Sequence, residues 1–122
     1  QEALKLGDRI ALMQDGSVVQ LGTPEEIVGS PADDYVREFV RDVPREQVMT
    51  VRTAMRPGDC GGPEHPGSLA PDTVVSAAIE TVARTGRPVC VVEDGRCLGQ
   101  VGDADLLRVV AGLGARPAKE AA

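Results

Sequence analysis

Short apolar runs joined by tight turns alternate along this chain with stretches of helical period. Residues 10 to 13 and 18 to 21 are apolar runs bridged by Gln14-Asp15-Gly16-Ser17. Asp-Gly accepts the positive φ angles of a two-residue turn, so the pattern predicts a β-hairpin. Thr23-Pro24-Glu25-Glu26 follows. It reads as an N-cap, a proline at the first helical position and a capping-box glutamate, opening a short helix that stops at Gly29. Ser30-Pro31-Ala32-Asp33 repeats that start, and Ala32, Tyr35, Val36, Phe39 and Val40 line one face of a second helix that Pro44 ends.

Beyond Pro44 an amphipathic stretch from Arg45 leads into Val51-Arg52-Thr53-Ala54-Met55-Arg56. The run Pro57-Gly-Asp-Cys-Gly-Gly-Pro-Glu-His-Pro-Gly-Ser68 is punctuated throughout and reads as a mobile loop. From Asp72 to Thr85 the apolar positions Val75, Ala78, Ile79, Val82 and Ala83 predict a helix, with Gly86 placed for a left-handed C-cap. Val89-Cys-Val-Val92 and Cys97-Leu-Gly-Gln-Val101 then read as strands around Glu93-Asp94-Gly95-Arg96, and Asp103 as the cap of a helix holding Leu106, Leu107, Val109 and Val110. Both hairpins are followed by a capped helix, but their flanks do not correspond. Shared use of a favoured turn explains the likeness better than an internal repeat. The pattern as a whole is α+β.

The chain has 122 residues, room for about one ordinary domain, and its apolar runs are far too short to span a bilayer. Its beginning, Gln1-Glu2, has neither a basic region nor an apolar core, so a secretory signal is not expected; this fits a cytoplasmic origin or a piece cut out of something longer, and the second is the favoured reading. Residues 1 to 50 hold 5 basic and 10 acidic side chains; residues 51 to 122 hold 8 and 9. An acidic chain with one Tyr, one Phe and no Trp lacks the cations and stacking rings that nucleic acids require, so no nucleic-acid partner is expected.

Candidate chemistry is sparse. Three cysteines (Cys60, Cys90, Cys97) and one histidine (His65) include no CxxC pair, so no metal site is expected. Cys60 and His65 share a loop that does not hold a nucleophile and a base in place, and the two read as inert loop residues. Asp103 and Asp105 lie two apart at a helix start and make a poor acid/base pair. No GxxxxGK[ST] is present to cradle a triphosphate, so no catalytic residue is assigned.

One stretch carries a family likeness. Asp8-Arg9-Ile10, Asp15-Gly16, Gln20, Gly22-Thr23-Pro24-Glu25-Glu26-Ile27, Pro31-Ala32, Tyr35-Val36 and Phe39-Val40 resemble the end of an ABC-transporter ATPase domain, nearest the glycine betaine/proline (quaternary amine) importer group. The resemblance implies that residues 1 to 44 are the incomplete C-terminal end of that domain. It implies a parent, peripheral on the cytoplasmic face of the membrane, that binds transporter membrane subunits and keeps its nucleotide-hydrolysing motifs upstream. The apolar faces of residues 1 to 40 would then lack their parental cover and invite self-association.

The second half resembles a CBS motif, which that importer group often carries next. Arg87-Pro88-Val89 with Val91-Val92, and Gly99-Gln-Val-Gly-Asp-Ala-Asp105-Leu106-Leu107, carry the likeness. It implies a linker and loop over residues 45 to 68 with a first strand at 51 to 56, helix-strand-strand-helix over 69 to 113, and a disordered tail at 114 to 122. A single motif implies pairing with a second chain as a homodimer. The family's nucleotide site falls on Asp105, Gly102, Pro88 and Val89, with adenine nucleotide (ATP, ADP or AMP) or a cyclic dinucleotide as ligand. Asp105 stands at the ribose-binding position and Gly102 where the family has a hydroxyl; the alternative is that Asp105 only complements a helix start. Two further implied roles are a membrane-surface salt sensor, resting on the dispersed Arg52, Arg56, Arg84, Arg87, Arg96 and Arg108, and a purely structural module that dimerises two ATPase subunits.

Overall fold

The computed structural model describes residues 2–60 and 67–113, and these divide into two units, 1–44 and 45–122. The first unit opens with strands β1 (Glu2–Leu6), β2 (Arg9–Gln14) and β3 (Ser17–Gly22), forming an antiparallel sheet in that order. Asp15 and Gly16 sit at φ 53° and 82°, the two positive angles that the Asp-Gly turn was expected to supply. Helices α1 (Pro24–Gly29) and α2 (Asp34–Phe39) follow. Ala11, Leu12, Ile27, Val28, Val36 and Val40 are the buried apolar residues among those described in this unit.

The capping box is present in full. Glu26 N–H donates to Thr23 Oγ1 at 3.2 Å, and Thr23 N–H donates to Glu26 Oε1 at 2.8 Å. A Cβ at Gly22 would lie 2.8 Å from that same Oε1, so the Gly of Gly-Thr-Pro-Glu-Glu leaves room for the returning carboxylate. The backbone hydrogen bond from Thr23 holds the Glu26 carboxyl below its ordinary value of 4.5. A depressed folded value means that the box stabilises above the unfolded value and loses that contribution as pH falls through the folded one. In thermal unfolding, Thr23→Ala removes the Oγ1 acceptor and is expected to cost about 1 kcal/mol, whereas the pH-dependent half of the box, held by the Thr23 backbone N–H, persists in that variant and is lost in Glu26→Ala.

The second helix starts later than its sequence suggests. Asp33 is the N-cap, accepting from Val36 N–H at 2.9 Å, and Ser30 to Ala32 stay outside the helix. The side chain of Gln20 holds them instead: its Nε2 donates to Ser30 O at 3.0 Å and its Oε1 accepts from Ala32 N–H at 2.8 Å. Ala32 is exposed, and the helix ends at Phe39 rather than at Pro44. Tyr35 packs near Phe39, ring centroids 6.5 Å apart, and its hydroxyl donates to Met13 O at 3.0 Å.

The second unit begins with α3 (Arg45–Val48) and α4 (Val51–Ala54), then β4 (Arg56–Pro57), β5 (Ser68–Leu69), α5 (Val75–Thr85), β6 (Val89–Glu93), β7 (Arg96–Val101) and α6 (Asp103–Val110). Its sheet runs β4-β7-β6-β5, with β5 parallel to β6 and the other pairs antiparallel. The helix-strand-strand-helix order over α5 to α6 matches the sequence reading, including Gly86 at φ 78° and an Asp94-Gly95 turn at 52° and 78°.

Two expectations are corrected here. The first strand expected at 51 to 56 is mostly helical: Val51 and Ala54, three apart, are buried while Arg52 and Thr53 are exposed, so burial follows a helical spacing and only Arg56–Pro57 is strand. Hydrogen bonds from Val51 N–H to Thr73 O (2.9 Å) and from Val75 N–H to Met49 O (2.8 Å) tie this region to the start of α5. The run from 57 to 68, read as loop throughout, contributes strand residues at both described ends, Pro57 and Ser68. The disordered tail expected at 114 to 122 lies outside the described residues.

Candidate functional site

Pro88, Val89, Gly102 and Asp105 come together where the β6–β7 hairpin hands over to α6. Val89 pairs with Val101 across the hairpin, and both are fully buried. The next residue, Gly102, is the N-cap of α6, extended at φ −121°. A Cβ there would lie 3.3 Å from Pro88 Cγ and 3.7 Å from Asp105 Oδ2, so the proline ring closes over Gly102 and leaves little room for a side chain. Asp103, expected to cap the helix, is instead its first residue.

Asp105 reaches back from the third helical position. Its Oδ2 accepts from Gly102 N–H at 2.8 Å and from Arg56 Nε at 3.2 Å, and the residue is only 4% exposed. The first bond satisfies a donor that the helix start leaves unpaired, and the second joins α6 to β4 across β7. Arg56 is the member that sequence reading missed: it lies 49 residues away, and only the pairing of Arg56 with Gln100 brings it to the carboxylate. Chemically the group is a buried, doubly hydrogen-bonded carboxylate at a helix start. Among the described residues no group of three His, Cys, Asp or Glu side chains could hold a metal ion.

Cys60 departs from its reading as an inert loop residue. Cys60 and Cys97 form a disulfide with Cα atoms 5.9 Å apart, and Cys90 is a buried free thiol. Three cysteines allow three pairings in sequence; the sheet selects one, because β4 leads the chain past β7. His65, the base weighed beside Cys60, lies outside the described residues. Of the arginines weighed for a cationic surface, Arg52 pairs with Glu93 at 3.5 Å, Arg84 with Glu80 at 2.6 Å, and Arg56 with Asp105. No helix among the described residues is long and apolar enough to cross a membrane.

Comparison with known proteins finds relatives among transport ATP-binding proteins. The chain is 52% identical over 60 residues to the glycine betaine/proline betaine transport system ATP-binding protein ProV of Salmonella typhimurium, covering 49% of this chain and 15% of that protein. The chain is similar to glycine betaine transport ATP-binding proteins. OpuAA of Bacillus subtilis, a glycine betaine transport ATP-binding protein, is 53% identical over 55 residues, 45% of this chain and 13% of its own length. A longer, weaker match reaches 92% of this chain: 32% identity over 123 residues to the sulfate/thiosulfate import ATP-binding protein CysA of Nocardia farcinica, 37% of that protein. The resemblance read from the hairpin and its capped helices is the one these glycine betaine relatives show, and the matches cover only 13 to 15% of their length. No family model and no solved structure matches the chain.

Proposed function

We propose that this chain is a C-terminal part of the ATP-binding subunit of an osmoprotectant importer for glycine betaine or proline, in which residues 45 to 113 form a CBS-type module that dimerises and regulates the subunit. The nucleotide-hydrolysing machinery of such a subunit would lie outside this chain, and the parent would sit on the inner face of the membrane against its membrane subunits. The glycine betaine relatives, at 52 to 53% identity, support the transport class. The observation that carries the dimerising role is the outer face of the second unit. Leu107 is 65% exposed and Leu113 67%, and Ile79 and Val110 are also exposed. Exposed large apolar side chains on α5, on α6 and just after it favour cover by a like surface.

Two other roles fit less well. A nucleotide sensor would use Asp105 to accept from ribose hydroxyls, but its Oδ2 already serves two protein donors in a buried position. A salt sensor on an anionic membrane surface needs free cations, and Arg52, Arg56 and Arg84 each face a carboxylate. Thermal unfolding with ATP, ADP, AMP or a cyclic dinucleotide, repeated across a salt series, separates the three. The dimerising role predicts no shift with any nucleotide and no salt-dependent binding to anionic vesicles. A bound nucleotide at about 100 times its dissociation constant would raise stability by about 2.7 kcal/mol, and such a shift would replace this reading with the sensor.

A further inference from the structure

The segment at residues 58–60 crosses the face of the sheet that carries Cys90 and Gln100. Gly58 N–H donates to Leu98 O at 3.0 Å, and Gln100 Nε2 donates to Asp59 O at 3.1 Å. The Cys60 carbonyl lies 3.5 Å from Cys90 Sγ, so this segment helps to roof the free thiol, which is 1% exposed. The Cys60–Cys97 disulfide pins the same segment to β7. Just before it comes Arg56, whose guanidinium holds Asp105.

We infer that Cys60 and Cys97 form a reversible redox site that latches this segment over Cys90 and keeps Arg56 on Asp105. Both redox states are provided for in the fold. In the oxidised state the two sulfurs are bonded. On reduction each thiol has a backbone carbonyl within reach, Gly99 O 3.5 Å from Cys60 Sγ and Gly58 O 3.4 Å from Cys97 Sγ. Cys97 is exposed and Cys60 half-buried, so a small disulfide such as oxidised glutathione can reach the pair. The Cys97 thiolate attacks one glutathione sulfur, forming a mixed disulfide and releasing one glutathione thiolate. Cys60, as its thiolate, then attacks the Cys97 sulfur and releases the second. Two electrons pass from the cysteine pair to glutathione, and the protons lost by the two thiols are taken up by the departing glutathione thiolates. Cys90 stays out of the exchange, because burial, with the charge of Asp59 second, pushes its thiol up and away from the reactive thiolate.

The test labels the whole chain with N-ethylmaleimide in oxidised or reduced glutathione and maps the cysteines by peptide mass spectrometry, with amide exchange followed at Gly102. In oxidised glutathione a linked Cys60–Cys97 peptide is expected and Cys90 labels slowly. In reduced glutathione the link opens, and labelling of Cys90 and exchange at Gly102 both speed up by about tenfold or more, reverting on reoxidation. Cys97→Ser should show the fast rates in both buffers. The wild-type cycle decides the matter even if that variant folds poorly. A pair that never links, a link that reduced glutathione leaves intact, or Cys90 and Gly102 rates that ignore the redox state would each overturn the proposal.

Discussion

Replacing Asp105 by alanine is expected to lower the stability of the second unit by about 2–3 kcal/mol, the cost of leaving a buried donor without its acceptor and removing a charged partner. The carboxylate accepts from Gly102 N–H in the buried start of α6, and from Arg56. Loss of the first bond strands a backbone N–H that water reaches poorly. Loss of the second is milder, because the Arg56 side chain is 45% exposed and returns to solvent. Asp105→Asn keeps an acceptor for Gly102 but gives up the charge, so it should fall between alanine and wild type. Urea unfolding monitored by circular dichroism measures both, and equal stability of all three proteins would show that the carboxylate supports nothing in the fold.

Gly99 sets the other large effect. A Cβ there would run into the Arg56 carbonyl and lie 3.0 Å from Pro57 Cα, and both obstacles are backbone. Gly99→Val must therefore push β4 off β7, and overpacking of this kind costs about 1–3 kcal/mol. The displacement also draws Arg56 away from Asp105, so the valine variant and Asp105→Ala should be less than additive when combined. An additive double mutant would mean that β4 does not carry Arg56 to its partner.

Much of this was legible in the sequence, and the reason is locality. The Asp-Gly turns, the Thr23 capping box and the Gly86 C-cap involve residues within four positions of each other, and each is present. What the sequence hid depends on partners far along the chain. Glu2–Leu6, composed of good helix formers, is a strand because it pairs residue by residue with β2 from Met13 back to Arg9. The two-residue strands β4 and β5 have no periodicity to detect and exist only as edges of a sheet built by β6 and β7. The same dependence hid part of the candidate site. Gly102 and Asp105 are three apart and readable, whereas Arg56 and the Cys60–Cys97 link required the sheet register.

The exposed apolar faces differ between the units. Leu4, Leu6, Val18 and Leu21 lie on one face of the first sheet, as the register of β1, β2 and β3 dictates, and each is at least half exposed. Under the proposed function the rest of an ATPase domain would cover them, whereas Leu107 and Leu113 belong to the face proposed for pairing of like units.

Sedimentation velocity of the whole chain beside Leu107→Glu and Leu21→Glu tests the central claim most directly. The account predicts a dimer that persists in Leu21→Glu and becomes a monomer in Leu107→Glu. A wild-type monomer, or a dimer that only Leu21→Glu dissolves, would contradict it.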